Sequence, residues 1–268
     1  MKVAIIGASG RMGQALIAAL YEHPNATLAS AIVRPGHASV GESIPGFDQT
    51  YRDDIAHALE GIDVAIDFAT PDGLQARANA CGATGTPWLL GTTGLSEAQE
   101  ATVVNTARLA PVLFSANTSL AVNGMLDALS QLATVLGEDY DVDILDVHHR
   151  GKIDAPSGTA LELGRAVARG WGLDLREVQV VPEARGERGR PSIAFSDMRA
   201  GSHAGEHRVL FSGADDSIEI VHRVRERGVF ARGALRAAEW LATREGGLYD
   251  MADFLGALRT AGDSEEAS

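Results

Sequence analysis

Met1-Lys2-Val3-Ala4-Ile5-Ile6-Gly7-Ala8-Ser9-Gly10-Arg11-Met12-Gly13 opens the chain, and its reading decides the fold. Val3–Ile6 is an unbroken apolar run, as expected of a strand buried on both faces. Three glycines follow at the spacing GxxGxxG, and Arg11–His23 then carries the pattern of a helix that stops before Pro24. Glycines at such a junction permit a tight turn and let backbone N–H groups approach a pyrophosphate at the helix N-terminus. A plain strand-to-helix turn uses the same residues. The place of this one, after a buried strand and opening a helix, favours the nucleotide site.

Working outward, Thr27–Val33, Asp63–Phe68, Trp88–Leu90 and Val112–Phe114 read as strands. Ile55–Leu59, Leu74–Cys81 and Ala98–Leu109 between them carry helical spacing. This alternation predicts a doubly wound parallel sheet. The rhythm changes after Asn117. Val122, Met125, Leu126, Leu129, Leu132, Ala133 and Leu136 form one long helical stripe. Asp141–His149, Ser192–Met198, Arg208–Phe211 and Ile218–Val224 follow as strands, which predicts a second α+β domain on a mixed sheet. Glu183–Pro191 reads as an exposed loop and Phe230–Arg244 as a helix. The small, acidic tail Ala261–Ser268 is expected to be disordered.

Composition bounds the function. The chain has 268 residues, 45% of them hydrophobic and 22% charged, the balance of a globular protein. Its net charge of −13 argues against broad binding to nucleic acid or anionic membranes. A small anionic ligand remains compatible, because a few local cations and helix N-termini hold one. Cys81 is alone, so no intrachain disulfide forms, which suits a reducing compartment. The apolar run before Gly7 is too short for a signal peptide, and no stretch is expected to reach the length of a membrane span. A cytoplasmic α/β protein is expected.

The second strand ends Ala31-Ile32-Val33-Arg34. An acidic residue here would hydrogen-bond a ribose 2′-hydroxyl, whereas an arginine accommodates a 2′-phosphate. Arg34 without a carboxylate therefore predicts NADPH as the preferred cofactor, with NADH possible; an ordinary solvated loop arginine is the alternative.

Asp146-Val147-His148-His149-Arg150-Gly151-Lys152-Ile153-Asp154-Ala155-Pro156-Ser157-Gly158-Thr159 is the most informative stretch. His148 and His149 point to opposite faces of a strand, so they are not both core fillers. Asp146 shares a face with His148 and is placed to orient its ring. The turn Ser157–Thr159 opens a helix near Ala160 and offers N–H groups and a hydroxyl as a carboxylate seat. A helix cap alone explains the hydroxyl residues but not the cluster of cations.

His148–Leu161, HHRGKIDAPSGTAL, resembles the signature of the dihydrodipicolinate reductase family. The resemblance extends to Gly7–Gly13, Gly91-Thr92-Thr93-Gly94 and Ser115-Ala116-Asn117-Thr118-Ser119. It continues through Arg199-Ala200-Gly201, Gly205-Glu206-His207 and Gly247–Met251, covering all but the tail. It implies a Rossmann-type domain over 1–117 plus 228–268 and a substrate-binding and oligomerisation domain over 118–227, assembled as a homotetramer. It implies reduction of 4-hydroxy-tetrahydrodipicolinate to tetrahydrodipicolinate by NAD(P)H, a step of lysine and diaminopimelate biosynthesis. By the same resemblance Gly7, Ala8, Ser9, Gly10, Arg11 and Met12 cradle the pyrophosphate. Gly91, Thr92, Thr93, Ser115, Ala116, Asn117 and Thr118 line the nicotinamide side. His148 transfers a proton, Lys152 donates one, His149, Ser157, Gly158 and Thr159 hold the substrate carboxylates, and Arg227 is a further substrate-proximal arginine. The chain departs from some members in having Val33-Arg34 where they carry Glu-Arg, which favours NADPH. It also has Gly151 where some carry a larger residue, to which no function is attached.

Other readings fit less well. His203-Ala204-Gly205-Glu206-His207 spells a zinc-protease-like H-x-x-E-H, but Gly201 and Gly205 interrupt the helix that it requires, and a structural turn is expected, with no metal. A semialdehyde dehydrogenase needs a reactive cysteine, and Cys81 sits late in a helix. A short-chain dehydrogenase wants Tyr and Lys four apart, which no tyrosine here provides. A non-catalytic NADP sensor has no use for His148, Lys152 and an anion seat together.

Overall fold

Alternate residues of strand β1 (Lys2–Ile6) enter opposite layers, Val3 and Ile5 one core, Ala4 and Ile6 another. A strand buried on both faces reads as a continuous apolar run, which is why this one lacks a polar-apolar alternation. The computed structural model describes residues 1–180, 188–226 and 228–266. It divides into two compact units, Met1–Leu120 with Arg227–Ser268, and Ala121–Glu226.

In the first unit β1 is followed by α1 (Arg11–Tyr21), β2 (Thr27–Ile32), β3 (Tyr51–Arg52), α2 (Ile55–Ala58) and β4 (Val64–Asp67). Next come α3 (Leu74–Thr84), β5 (Trp88–Leu90), α4 (Glu97–Thr106) and β6 (Pro111–Phe114). In the second unit, α5 (Leu120–Leu136) leads to β7 (Asp141–His148), α6 (Gly158–Trp171), α7 (Leu175–Val178), β8 (Gln179–Val180), β9 (Ile193–Arg199), β10 (Glu206–Ser212) and β11 (Ser217–Arg223). The chain then returns to the first unit with α8 (Gly228–Leu241), β12 (Gly247–Tyr249) and α9 (Met251–Glu266).

The first sheet is parallel throughout, in the order β12-β6-β5-β4-β1-β2-β3. Strand order reverses between β1 and β4, so the crevice beyond their carboxyl ends is where such sheets bind ligands. The second sheet runs β11-β10-β7-β9-β8, antiparallel at β10 and parallel at β9. Val142, Ile144, Val209 and Phe211 line the face that α5 and α6 cover. A Cβ on Gly170 would lie 2.3 Å from Ser130 O, so only glycine lets α6 approach α5 this closely.

Two sequence expectations are corrected here. Residues Leu120–Asp139 are long and apolar enough, by length and composition, to cross a membrane, although no such stretch was expected. Within it α5 buries Val122, Met125, Leu129 and Ala133, 22% of the stretch. The tail is helical as far as Glu266. Alanine and glutamate favour helix, and each residue added to a formed helix gains a bond at little cost. The charged loop is exposed at Arg188, Gly189 and Arg190, as expected, and Arg188 ties it down by donating to Ser192 Oγ at 2.6 Å, Val142 O at 2.6 Å and Asp143 at 2.8 Å. Residues 183–187 of that loop lie outside the described residues.

Candidate active site

The glycine turn sits where the β1 and β4 loops meet. Gly7 has φ +80°, and a Cβ on it would stand 3.0 Å from Ala69 N. Gly7 N and Ala8 N both donate to Ile32 O, at 2.9 and 3.0 Å, which ties the turn to the end of β2. At Gly13 a Cβ would fall 2.4 Å from Gly7 O, so α1 rests directly on the turn. The first turn of α1 has no acidic residue and no side-chain cap, which suits an anion at its N–H groups. This cradle of backbone and glycine fits a dinucleotide pyrophosphate.

The loop after β4 is held by a buried pair that the sequence reading missed. Asp67, fully buried, accepts from Arg77 Nε at 2.7 Å, Ala69 N at 2.9 Å and Trp88 Nε1 at 3.2 Å. Arg77 also donates to Thr70 O and Asp72 O. Phe68, within this loop, fills the space that a Gly91 side chain would need. Thr92 and Thr118 are buried, and their hydroxyls donate to Ala69 O and Phe230 O. They tie the loop after β5 to the loop after β4, and the loop after β6 to α8. Ser115 Oγ likewise donates to Asn117 O.

In the second unit everything converges on Asp146, which is fully buried. Its Oδ1 lies 3.0 Å from His148 Nδ1, 3.2 Å from His207 Nε2 and 2.8 Å from Ser157 Oγ. Its Oδ2 accepts from Ser157 N and from Arg199, each at 2.8 Å. The His148 contact is close but lacks good hydrogen-bond direction. Burial alone would raise Asp146, yet His207, Ser157 and Arg199 together hold it well below the usual carboxylate range. Burial pushes His148 down to about 4 against the pull of Asp146, and His207, Lys152 and Arg199, in that order, add to the fall. His148 is therefore neutral at pH 7.

His207 and Arg199 were not singled out in the sequence reading as functional. Asp146, His207 and His222 form one cross-strand row on β7, β10 and β11. The rings of His207 and His222 stack at 6.2 Å. The available signal was alternation: His207, Val209 and Phe211 share the buried face of β10. No helix joins His203 to His207, because β10 begins at Glu206 and Gly205 has φ +153°.

Lys152 Nζ donates to both oxygens of Asp154, at 2.9 and 2.8 Å. His149, by contrast, is half-buried. Ser157 is 2% exposed, and its N–H and hydroxyl are spent on Asp146 while its Oγ caps α6 at Ala160 N. Ser157 is therefore not available as the carboxylate seat expected of it. Arg227 lies outside the described residues. Asp146, His148 and His207 present ligand atoms within 4.8 Å of one another, a possible cation set by geometry. The Arg199 guanidinium already supplies positive charge to that carboxylate, which disfavours a second cation.

A dihydrodipicolinate reductase N-terminus model matches residues 1–118, and a dihydrodipicolinate reductase C-terminus model matches 121–255. The chain belongs to the dihydrodipicolinate reductase family. A 4-hydroxy-tetrahydrodipicolinate reductase of Alkalilimnicola ehrlichii is 46% identical, over 95% of this chain and 98% of that protein. Another, from Hahella chejuensis, is 42% identical over the same shares. A dipicolinate-bound dihydrodipicolinate reductase from Paenisporosarcina sp. TG-14 has the same fold, with TM-score 0.77 at 20% identity, covering 93% of this chain and 97% of that one. The fold is also similar to a probable dehydrogenase from Thermotoga maritima, with TM-score 0.64 at 10% identity, covering 94% and 92%. Family membership agrees with the state of Cys81, fully buried and with its thiol pushed up by desolvation, unfit as a nucleophile.

Proposed function

We propose that this chain reduces 4-hydroxy-tetrahydrodipicolinate to tetrahydrodipicolinate with loss of water, using NADPH in preference to NADH. The observation that carries the reading is the Asp146 hub, which holds His148 beside the Ser157–Thr159 helix start in a chain of this family. Gly7–Met12 bind the pyrophosphate, with Gly91–Thr93 and Ser115–Thr118 framing the nicotinamide. A bound reduced nicotinamide supplies the hydride, which goes to ring carbon 4 and leaves electron density to be quenched by a proton. Lys152 donates that proton after leaving Asp154. His148, neutral and oriented by Asp146, relays protons, and the negative charge of a dicarboxylate favours its protonation. His149, Gly158, Thr159 and Arg227 hold the carboxylates.

The test couples the purified protein to an active dihydrodipicolinate synthase and follows NADPH absorbance. Oxidation well above the enzyme-free rate supports the reading, and none removes it. The same reading places the enzyme in the cytoplasm as a homotetramer. Leu145, Leu210 and Val221 lie on the sheet face away from α5 and α6, where a neighbouring sheet would join. Light scattering giving four times the chain mass is the expected result.

A further inference from the structure

β2 runs into a tight turn, Arg34-Pro35-Gly36-His37, closed by His37 N donating to Arg34 O at 3.1 Å. Proline at its second position and Gly36 at φ +70° in its third are the arrangement of a type II turn. Two bonds pin it to the end of β3: Val33 N donates to Arg52 O at 2.8 Å, and Gly36 N to Asp53 Oδ2 at 3.0 Å. Arg34 and His37 are therefore the two ends of one fixed turn.

His37 reaches from this turn to the glycine loop, its Nε2 3.3 Å from Ser9 Oγ. Its Nδ1 accepts from Ser39 N at 3.1 Å. With Nδ1 used as an acceptor, the neutral ring carries its proton on Nε2, so a donor faces the mouth of the loop. The nearby acid, Asp53, is engaged by the Gly36 N–H.

We infer that His37 is a specificity-determining residue, donating from Nε2 to the 2′-phosphate of NADPH beside Arg34. This rests on the proposal that the Arg34 turn receives the adenosine ribose. A hydrogen bond to a charged phosphate is worth about tenfold in affinity or more.

Calorimetric titration with adenosine 2′,5′-bisphosphate and with 5′-AMP tests the inference without turnover. Wild type should bind the bisphosphate more tightly. His37→Ala should lose about tenfold for the bisphosphate and nothing for 5′-AMP. His37→Gln, whose amide N–H can replace Nε2–H, should recover most of the loss. If wild type binds both ligands equally, the NADPH preference fails and the inference with it. If Arg34→Ala loses bisphosphate affinity but His37→Ala does not, only the inference fails. Equal losses for both ligands in His37→Ala would reduce His37 to a support for Ser9 and overturn it.

Discussion

Asp146 and His148 stand two residues apart on β7, with Asp146 Oδ1 3.0 Å from His148 Nδ1. The contact lacks hydrogen-bond direction, so the carboxylate acts on the ring through its charge, while Nε2 faces Gly205. A Cβ at Gly205 would be 3.2 Å from that nitrogen, so glycine there keeps it approachable. Asp146→Asn removes the charge beside His148 and leaves Arg199 to its longer contact with Asp197, at 3.4 Å. The expected result is a kcat lowered about 10²-fold or more, with NADPH affinity unchanged. Breaking this buried pair should also cost about 3–5 kcal/mol of stability, read by denaturant unfolding.

Acid should destabilise the protein through the same pair. The folded state holds His148 at about 4, below the ordinary histidine value, so between that value and about 4 the unfolded chain binds the extra proton. Its contribution is full above the ordinary histidine range and is lost as pH falls. Asp146, also lowered, adds a loss in the same direction below the carboxylate range. Melting temperature should therefore fall from pH 7 to pH 4.5, and the fall should be smaller in His148→Gln. An equal slope in that variant would assign the loss to other groups.

The inner strands of the first sheet were legible because their information is local. Val3–Ile6, the glycines after it and the helix spacing of Arg11–His23 state one strand, one turn and one helix in sequence. Asp146 and His148 were legible as face-sharing neighbours for the same reason. His207 was not, because its place beside Asp146 depends on the register of β10 against β7. Long-range partners also changed the roles of hydroxyls: Ser157 and Thr92 were expected to face ligands, but bind Asp146 and Ala69 O. The short strands β3, β8 and β12 carry too few residues to show a period, and each exists by pairing with a neighbour.

Arg77 should support nucleotide binding without touching the ligand. It neutralises Asp67 and holds Thr70 O and Asp72 O, fixing the loop that packs on Gly7 and Gly91. Arg77→Met leaves a buried carboxylate unpaired, at a cost of about 3–5 kcal/mol. Arg77→Met combined with Asp67→Asn removes the stranded charge and should recover part of that stability. Weaker NADPH binding should persist in the double variant, since the loop is still unheld. Fluorescence titration of NADPH and urea unfolding on the single and double variants read the two effects apart.

Lys152 and His148 should differ in kinetic signature from His149 and Thr159. A proton donated only as charge develops acts in the transition state, so its loss lowers kcat and kcat/KM together. A group that holds a carboxylate acts before the reaction as well, and its loss mainly raises KM. Lys152→Ala should lower kcat by about 10²–10⁴-fold. His149→Ala and Thr159→Val should raise substrate KM with kcat within a few-fold of wild type. Asp154 sharpens the distinction, because it holds the Lys152 ammonium in the absence of substrate. In Asp154→Asn the ammonium is free to meet the dicarboxylate, so substrate KM should fall or stay constant, without the loss of kcat expected in Lys152→Ala. Steady-state kinetics on these variants, beside NADPH affinity to confirm an intact first unit, read the split. If Lys152→Ala and His148→Gln both keep kcat within a few-fold of wild type, the proton comes from another donor, such as water, and the roles given to both residues fail.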